Sequence, residues 1–254
     1  MLIRKEYIKY ASNETFSVIS DDLTTGGKKG NVPYGTLTAI SESPFKFGMI
    51  YTGSDDGYVH ITKDNGESWQ NITHKNLGES LVNAIEVSPH DKSTVYIATT
   101  KYKFNDHTPA LYKSTDYGSS WVSINSGIPM GAFTRVVRED PMRKDLLYAG
   151  TEKGLYLSWN GGKTWKPFQL NLPIVPITDA TIKDNNLIVA TQGRSVWIID
   201  DLTLIHQLYD SNLNDNILFK PKDTYRMRGG SRKGSKTTGT NHPNGVITYF
   251  NLHI

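Results

Sequence analysis

Cysteine is absent from the sequence, which excludes disulfides, thiolate nucleophiles and cysteine-ligated zinc. Long apolar runs are absent too: stretches such as residues 187–190 and 196–199 are far shorter than the roughly 20 residues that cross a bilayer. The first residues carry charge without the apolar stretch of about 7–15 residues that marks a secretory signal. We therefore expect no membrane insertion, and the sequence leaves the cellular compartment open.

Spacings that hold metals or nucleotides are also missing. The seven histidines show neither H-E-x-x-H nor H-x-H. The glycine-rich segments at 26–30 and 229–235 lack the G-x-x-x-x-G-K-[ST] spacing that cradles phosphates. The sequence therefore predicts no metal site and no cofactor.

The composition favours short strands and turns. Glycine occurs 22 times and proline 11 times, only 37% of residues are hydrophobic, and the mean hydropathy is −0.45. The net charge is +3, and residues 220–236 hold seven basic side chains against one acidic one. Glycine, serine and threonine dilute this basic segment, so we interpret it as a solvated linker and expect no nucleic-acid partner.

An internal repeat organises the chain. T-K-D-N-G-E-S-W at 62–69, S-T-D-Y-G-S-S-W at 114–121 and S-W-N-G-G-K-T-W at 158–165 all fit [S/T]-x-[D/N]-x-G-x-[S/T]-W. Their final tryptophans lie 52 and 44 residues apart, near the roughly 40–50-residue period of propeller blades. We call these three segments the box hairpins.

Each box hairpin ends a series of predicted strands. First strands are expected at 36–40, 82–87 and 134–138, second strands at 49–53, 95–99 and 147–151, and third strands at 58–61, 110–112 and 154–157. Tryptophan then begins the fourth strand. A fourth unit without a box hairpin has predicted strands at 177–183, 186–191, 195–200 and 204–208. The sequence thus predicts an all-β fold, a β-propeller of four-stranded antiparallel blades, with about four blades plus part of a preceding one.

The residue types in the box suit a tight hairpin. Asn65-Gly66, Tyr117-Gly118 and Gly161-Gly162 tolerate the positive φ angles of such a turn. The preceding Asp or Asn side chain can accept hydrogen bonds from the amides of the turn, and tryptophan is a large anchor between sheets. We therefore expect a structural role for the box residues: Asp64, Gly66, Trp69, Asp116, Gly118, Trp121, Asn160, Gly162 and Trp165.

These units resemble the Asp-box, or BNR, repeats of sialidases, sortilin-type receptors and bacterial β-propeller glycoside hydrolases. Residues 188–201 are similar to the T-H-G-R-G-h-W-h-h-D-D segment (h, hydrophobic) of long bacterial sortilin-like proteins, with Gln192 in place of histidine and Ser195 in place of glycine. The resemblance covers about residues 34–209. It implies that the box hairpins lie at the periphery, away from the ligand face, and that the long relatives are typically exported.

The predicted organisation is a piece of a larger protein. Residues 1–33 are interpreted as a remnant of a preceding blade and a linker. Blades follow at 34–76, 77–127, 128–172 and 173–209, and residues 210–254 form a strand, the basic linker and the start of a truncated domain. Closed propellers have roughly 4–8 blades, so we expect further blades of a longer protein, or self-association, to complete the ring.

Ligands of propellers meet the face that is built by the loops joining second to third strands and by those joining one blade to the next, so we expect functional residues in these loops. The ligand-face candidates are Tyr102, Phe104, His107, Lys153 and Arg194. A glycosidase needs two carboxylates about 5–10 Å apart, and the candidates are Asp55, Asp56, Asp106 and Glu152. One hypothesis is non-catalytic binding of a protein, peptide or glycan. The alternative is a sialidase- or xyloglucanase-like glycoside hydrolase, or an inactive fragment of one.

Overall fold

A computed structural model describes residues 8–10, 16–25, 35–209, 211, 214–224 and 245–252. In chain order, the strands are β1 Ile8–Tyr10, β2 Phe16–Val18, β3 Leu37–Glu42, β4 Ile50–Ser54, β5 Val59–Thr62, β6 Gln70–Asn71, β7 Leu81–Val87, β8 Val95–Thr100, β9 Leu111–Ser114, β10 Val122–Ser123, β11 Thr134–Glu139, β12 Leu147–Thr151, β13 Gly154–Ser158, β14 Lys166–Pro167, β15 Ile177–Lys183, β16 Asn186–Thr191, β17 Val196–Ile199, β18 Ile217–Leu218 and β19 Phe250–Asn251. A 3-10 turn spans Tyr102–Phe104, and one helix, α1, spans Thr203–Leu208. The glycine-rich segments at 26–30 and 229–235 lie outside the described residues.

Three sheets have four strands each, in the order in which the strands follow along the chain. Blade one is β3 to β6, blade two is β7 to β10 and blade three is β11 to β14, all antiparallel. The alternating apolar runs and glycine-rich turns of the sequence produce these meanders. They confirm the predicted all-β propeller of four-stranded antiparallel blades.

The blades pack sheet against sheet around their second strands. Every residue of β4, β8 and β12 is buried, and Tyr51, Tyr96 and Tyr148 are among the largest fully buried side chains. Such continuous burial is expected of a strand that is covered by a neighbouring sheet on both faces. The hydrophobic core therefore runs from blade to blade.

Polar side chains of the first strands also connect successive blades. The Thr38 hydroxyl donates to the carbonyl of Val82 at 2.7 Å, and the Asn83 amide donates to the carbonyl of Thr134 at 3.1 Å. In each pair the donor lies on one blade and the acceptor on the first strand of the next blade. The first strands of successive blades are thus joined, with each donor earlier in the chain than its acceptor.

The fourth unit departs from the prediction. Its sheet has three strands, β15 to β17, which we call blade four, and the strand expected at 204–208 is wrong because these residues form α1. Both the amide and the hydroxyl of Thr203 donate to Asp201 Oδ1, at 2.9 and 2.5 Å, and this turn starts the helix. Leucine and glutamine also favour helix over strand.

The described residues form two compact units. The first comprises the described residues up to 183 together with 188–198, and so contains the sheets of blades one to three, the two-stranded antiparallel sheet of β1 and β2, and strand β15. The second contains residues 184–187 and those from 199 onward, including α1 and the antiparallel pair of β18 and β19. Among the described residues, no helix has the length and apolar character needed to cross a membrane.

Candidate functional site

The box hairpins share one hydrogen-bond pattern. In the first, Asp64 Oδ1 accepts from the hydroxyl of Thr62 at 2.7 Å and from the amide of Ser68 at 2.9 Å, while Thr62 Oγ1 accepts from the amide of Gly66 at 2.9 Å. Corresponding bonds recur in the other two hairpins around Asp116 and Asn160. The polar oxygens of the box are therefore occupied within the hairpin itself.

The second and third box hairpins also contact the blade before them, and the first contacts the segment that follows β2. The indole Nε1 groups of Trp69, Trp121 and Trp165 donate to the carbonyls of Ile19, Ile72 and Ile124, at 2.9, 2.8 and 2.5 Å. The box glycines lie against the same isoleucines with positive φ: a Cβ at Gly162 would stand 2.6 Å from Cδ1 of Ile124, and one at Gly118 would overlap Ile72. Through these contacts, the tryptophan and glycine of each box attach its blade to the preceding part of the chain.

An aromatic cluster lies where the loops of blades two and three meet. The ring of Tyr102 stacks on Phe133 with centroids 5.7 Å apart and planes at 17°, and His107 contacts the same ring at 5.7 Å. The Arg135 guanidinium carbon lies 5.2 Å from the Phe133 centroid. Phe133 is buried, whereas 43% of Tyr102 is exposed. We call Tyr102, His107, Phe133, Arg135 and Glu152 the Phe133 cluster.

An ion pair completes this cluster. Arg135 Nε and Nη2 both donate to Glu152 Oε2, at 2.9 and 2.7 Å, and the Glu152 amide donates to the carbonyl of Phe133 at 3.0 Å. The pair is partly exposed, so it adds little stability. It does present charged hydrogen-bonding groups beside an exposed aromatic ring, an arrangement that suits a polar ligand with an apolar face.

The carboxylates of Asp55 and Asp56 accept hydrogen bonds from neighbouring amide and hydroxyl groups of the protein. Asp55 Oδ1 accepts from the amide of Thr36 at 2.8 Å. Asp56 is buried, and its two oxygens accept from the amide and hydroxyl of Thr25, each at 2.7 Å, and from the hydroxyl of Ser54. These bonds tie the turn to neighbouring segments.

Asp106 is held in the blade-two loop. The amide of Thr108 donates to its Oδ1 at 2.9 Å. Hydrogen bonds from Thr108, aided by the charges of Lys101 and His107, hold the pKa of Asp106 below its ordinary value. A glycosidase acid requires a shift in the opposite direction.

The carboxyl group with a raised pKa lies elsewhere. Burial raises the pKa of Glu86 to about 7, against the opposing effect of Arg138. Glu86 pairs with Tyr96, whereas Leu81, at the other end of β7, pairs with Thr100 just before the 3-10 turn. Glu86 therefore lies toward the end of the blade opposite the Phe133 cluster.

The remaining candidates divide between two places. Phe104 is exposed on the 3-10 turn of the blade-two loop, and the ammonium group of Lys153 lies beside Gly131, whose amide donates to the His107 carbonyl at 3.1 Å. Arg194 belongs to the β16–β17 hairpin, where its carbonyl accepts from Trp197 Nε1 at 2.8 Å. The prediction missed Phe133 and Arg135. The available signals were the position of Phe133 in the loop between two blades and the charge of Arg135.

Among the described residues there is no group of three or more His, Asp or Glu side chains that could hold a metal ion. Within the Phe133 cluster, Arg135 and Glu152 are paired with each other.

No protein-family model matches the chain. It is 29% identical over 160 residues to xyloglucanase Xgh74A of Acetivibrio thermocellus, which covers 57% of this chain and 18% of that enzyme. It is 27% identical over 158 residues to a xyloglucanase of a Paenibacillus species, which covers 57% of this chain and 15% of that enzyme. The chain thus spans less than a fifth of the length of these curated relatives.

Among solved structures, an ancestral GH74 enzyme superimposes with a TM-score of 0.55 and 15% identity, over 74% of this chain and 26% of that one. At this identity the likeness concerns the fold alone. Together with the four-stranded meanders, it identifies the chain as a β-propeller segment, and the two curated proteins that the chain resembles are xyloglucanases.

Proposed function

We propose that this propeller segment binds a glycan, without hydrolysing it, through the Phe133 cluster and the neighbouring Phe104. The observation that carries the proposal is the stacked pair of Tyr102 and Phe133. The buried ring of Phe133 supports Tyr102 from below at 5.7 Å, so the exposed ring is held in place before a ligand arrives.

The chemistry of the cluster suits a sugar. A pyranose ring has an apolar C–H face that packs on an aromatic ring, and hydroxyl groups that hydrogen-bond at its rim. Arg135 and Glu152 stand beside the aromatic rings and offer donors and acceptors for such hydroxyls. Because the curated relatives are xyloglucanases, we expect xyloglucan-type chains as ligands. A polysaccharide ligand also implies that the whole protein is exported.

The carboxylates support binding rather than hydrolysis. Asp55, Asp56, Asp106 and Glu152 all accept hydrogen bonds from neighbouring protein groups, and the pKa of Asp106 is lowered rather than raised. A general acid in a glycosidase needs a proton near neutral pH. The second candidate function, a glycoside hydrolase segment, is favoured by the two xyloglucanase relatives.

The test is titration of the full chain with xyloglucan oligosaccharides in a calorimeter, with a cello-oligosaccharide and a short peptide panel alongside. We expect Tyr102→Ala to weaken glycan binding by about tenfold or more, which corresponds to about 1.4 kcal/mol. Phe45→Ala is the matched control, because Phe45 is an exposed aromatic residue in the β3–β4 loop. Binding of peptides but not glycans contradicts the proposal.

A reducing-sugar assay on the same oligosaccharides separates the two functions. We expect no product. Product release that is lost in both Asp106→Asn and Glu152→Gln would establish the hydrolase instead.

A further inference from the structure

One position of the first strands is apolar in blades one and two and polar in blade three. The strand register places Leu37, Val82 and Thr134 at this position, because each pairs with the residue three places after the buried tyrosine of the second strand. Leu37 and Val82 are buried apolar side chains, and Thr134 is buried as completely, with 0% exposure. A hydroxyl group therefore lies in the core of blade three where the two earlier blades have only hydrocarbon.

The Thr134 hydroxyl connects blade three to both ends of the blade-two loop (residues 101–110). It donates to the carbonyl of Thr99 at 3.2 Å and accepts from the amide of Ala110 at 3.1 Å. Thr99 lies on β8 just before the loop, Ala110 is the last residue of the loop, and both are buried. The hydroxyl thus fixes the base of the loop that carries Tyr102 and His107.

Blade one closes the corresponding loop without help from the next blade. The amide of Ser54 donates to the carbonyl of Tyr58 at 3.0 Å, just as the amide of Thr99 donates to the carbonyl of Ala110 at 2.9 Å. The amide of Tyr58 then donates to Ser54 Oγ at 2.9 Å, within blade one. In blade two the equivalent amide, that of Ala110, donates to Thr134 of blade three instead. A bond that blade one makes internally therefore joins two blades here.

Thr134 also lies between two members of the Phe133 cluster in the sequence. Phe133 precedes it and Arg135 follows it, and its carbonyl accepts from the side-chain amide of Asn83 at 3.1 Å. Both polar groups of Thr134 are thus bonded to blade two. The relative position of Tyr102 and Phe133 depends on the loop base and on residues 133–135, and the Thr134 hydroxyl bonds these two segments directly.

We propose that Thr134 is a positioning residue of the Phe133 cluster, whose buried hydroxyl fixes the blade-two loop against blade three and so holds the Tyr102 ring stacked on Phe133. A buried amide that loses its acceptor is costly, so we expect the loop base to move when the hydroxyl is removed. As a role in ligand binding, this inference rests on the proposed function. The stacking itself is present without a ligand and can be measured by itself.

Nuclear magnetic resonance of the full chain with labelled tyrosine rings tests the stacking in the absence of ligand. Tyr102→Phe assigns the Tyr102 signals, and Phe133→Leu gives the part of their chemical shift that the Phe133 ring causes. We expect Thr134→Val to lose most of this contribution and Thr134→Ser, which keeps the hydroxyl, to retain it. Thr38→Val is the matched control, because it removes a hydroxyl that donates to the Val82 carbonyl between blades one and two, and it should leave the shift unchanged.

The two outcomes that overturn the proposal are an unchanged Tyr102 shift in Thr134→Val and an equal loss in Thr134→Val and Thr134→Ser. Valine suits the site, since Val82 is buried at the same position of blade two. Far-UV circular dichroism and thermal unfolding check that each variant folds. Thr134→Ala, which also lacks the hydroxyl, takes the place of Thr134→Val if the valine variant is unfolded.

Calorimetry with xyloglucan oligosaccharides measures the consequence for binding. We expect Thr134→Val to weaken binding by about three- to fivefold, because the Tyr102 ring is displaced rather than removed. Thr134→Ser and Thr38→Val should bind as the wild type does. In a Tyr102→Ala background, Thr134→Val should cause no further loss, and additive losses would overturn the proposal. A wild type that binds no oligosaccharide refutes the glycan proposal only, since the ring shift then decides the role of Thr134.

Discussion

Trp121 of the second box hairpin donates its indole N–H to the backbone carbonyl of Ile72 at 2.8 Å, and Ile72 belongs to the blade before it. The same isoleucine side chain fills the space beside Gly118. One residue thus receives both a hydrogen bond and a close backbone contact from the next blade, which allows the two contributions to be separated by substitution.

Gly118→Val should destabilise the chain by about 3 kcal/mol, because valine meets both a positive φ of 88° and the side chain of Ile72. Gly193→Val is the control: its φ is 81°, but nothing lies within 4 Å of the added Cβ. We expect about 1 kcal/mol there. Urea unfolding measures both, and equal losses would show that backbone strain alone accounts for the effect.

Trp121→Phe should cost about 1 kcal/mol, since the aromatic ring is retained but the carbonyl of Ile72 loses its donor. Trp197→Phe removes a similar bond, but one that joins Trp197 to Arg194 within a single exposed hairpin. We expect a loss below about 0.5 kcal/mol for that variant. Thermal unfolding measures the stability of both variants. Equal losses of stability would contradict our interpretation.

Arg138→Met should be among the most destabilising changes, at about 3 kcal/mol. Its guanidinium donates to Glu86 of blade two at 3.3 Å and, in blade four, to Asp179 at 3.0 Å and the carbonyl of Ala180 at 2.7 Å. Without it, the buried Glu86 carboxyl has no cation beside it, and its pKa rises further above the ordinary value. The double variant Glu86→Gln/Arg138→Met should therefore be more stable than Arg138→Met; simple additivity of the two losses would refute this coupling.

Glu86 also predicts a pH dependence. Burial raises its pKa from 4.5 to about 7, so the folded chain binds this proton more tightly than the unfolded chain does. Its contribution to stability is complete below pH 4.5 and is lost as the pH rises to about 7. Melting temperatures measured across this window should fall less in Glu86→Gln than in the wild type. Parallel curves would assign the pH dependence to other groups.

Carboxylates of the hairpins act in the opposite sense and in a separate window. Hydrogen bonds from Ser68 and Thr62 lower the pKa of Asp64 from 3.8 to about 2. Its stabilising effect is therefore present above pH 3.8 and is lost as the pH falls toward 2. In Asp64→Asn, the melting temperature should fall less than in the wild type as the pH drops from 3.8 toward 2. Its pH dependence above pH 4.5 should be unchanged.

The strands were predictable because each depends on local pattern. Predicted and observed bounds agree closely at 82–87 against Leu81–Val87 and at 154–157 against Gly154–Ser158. The turns Asn65-Gly66 and Tyr117-Gly118 have the positive φ angles that their residue types favour. In these segments local preference and tertiary packing require the same conformation.

The aromatic cluster and the end of blade four were not predictable in this way. Phe133 and Tyr102 are 31 positions apart in the sequence and stack only because two blades bring their loops together. At Thr203–Leu208, the pattern of the earlier units suggested a strand, yet the Asp201 turn starts a helix. The blade boundaries drawn from the sequence stay predictions.

The two sets of bonds between blades run in opposite directions along the chain. Thr38, Asn83 and Arg138 donate forward to the first strand of the following blade, while Trp69, Trp121 and Trp165 donate backward. The acceptors in all six cases are backbone carbonyls, which every residue type provides. A blade duplicated or deleted during evolution therefore finds acceptors on either side whatever their side chains, so the number of blades can change without new attachment sites having to arise.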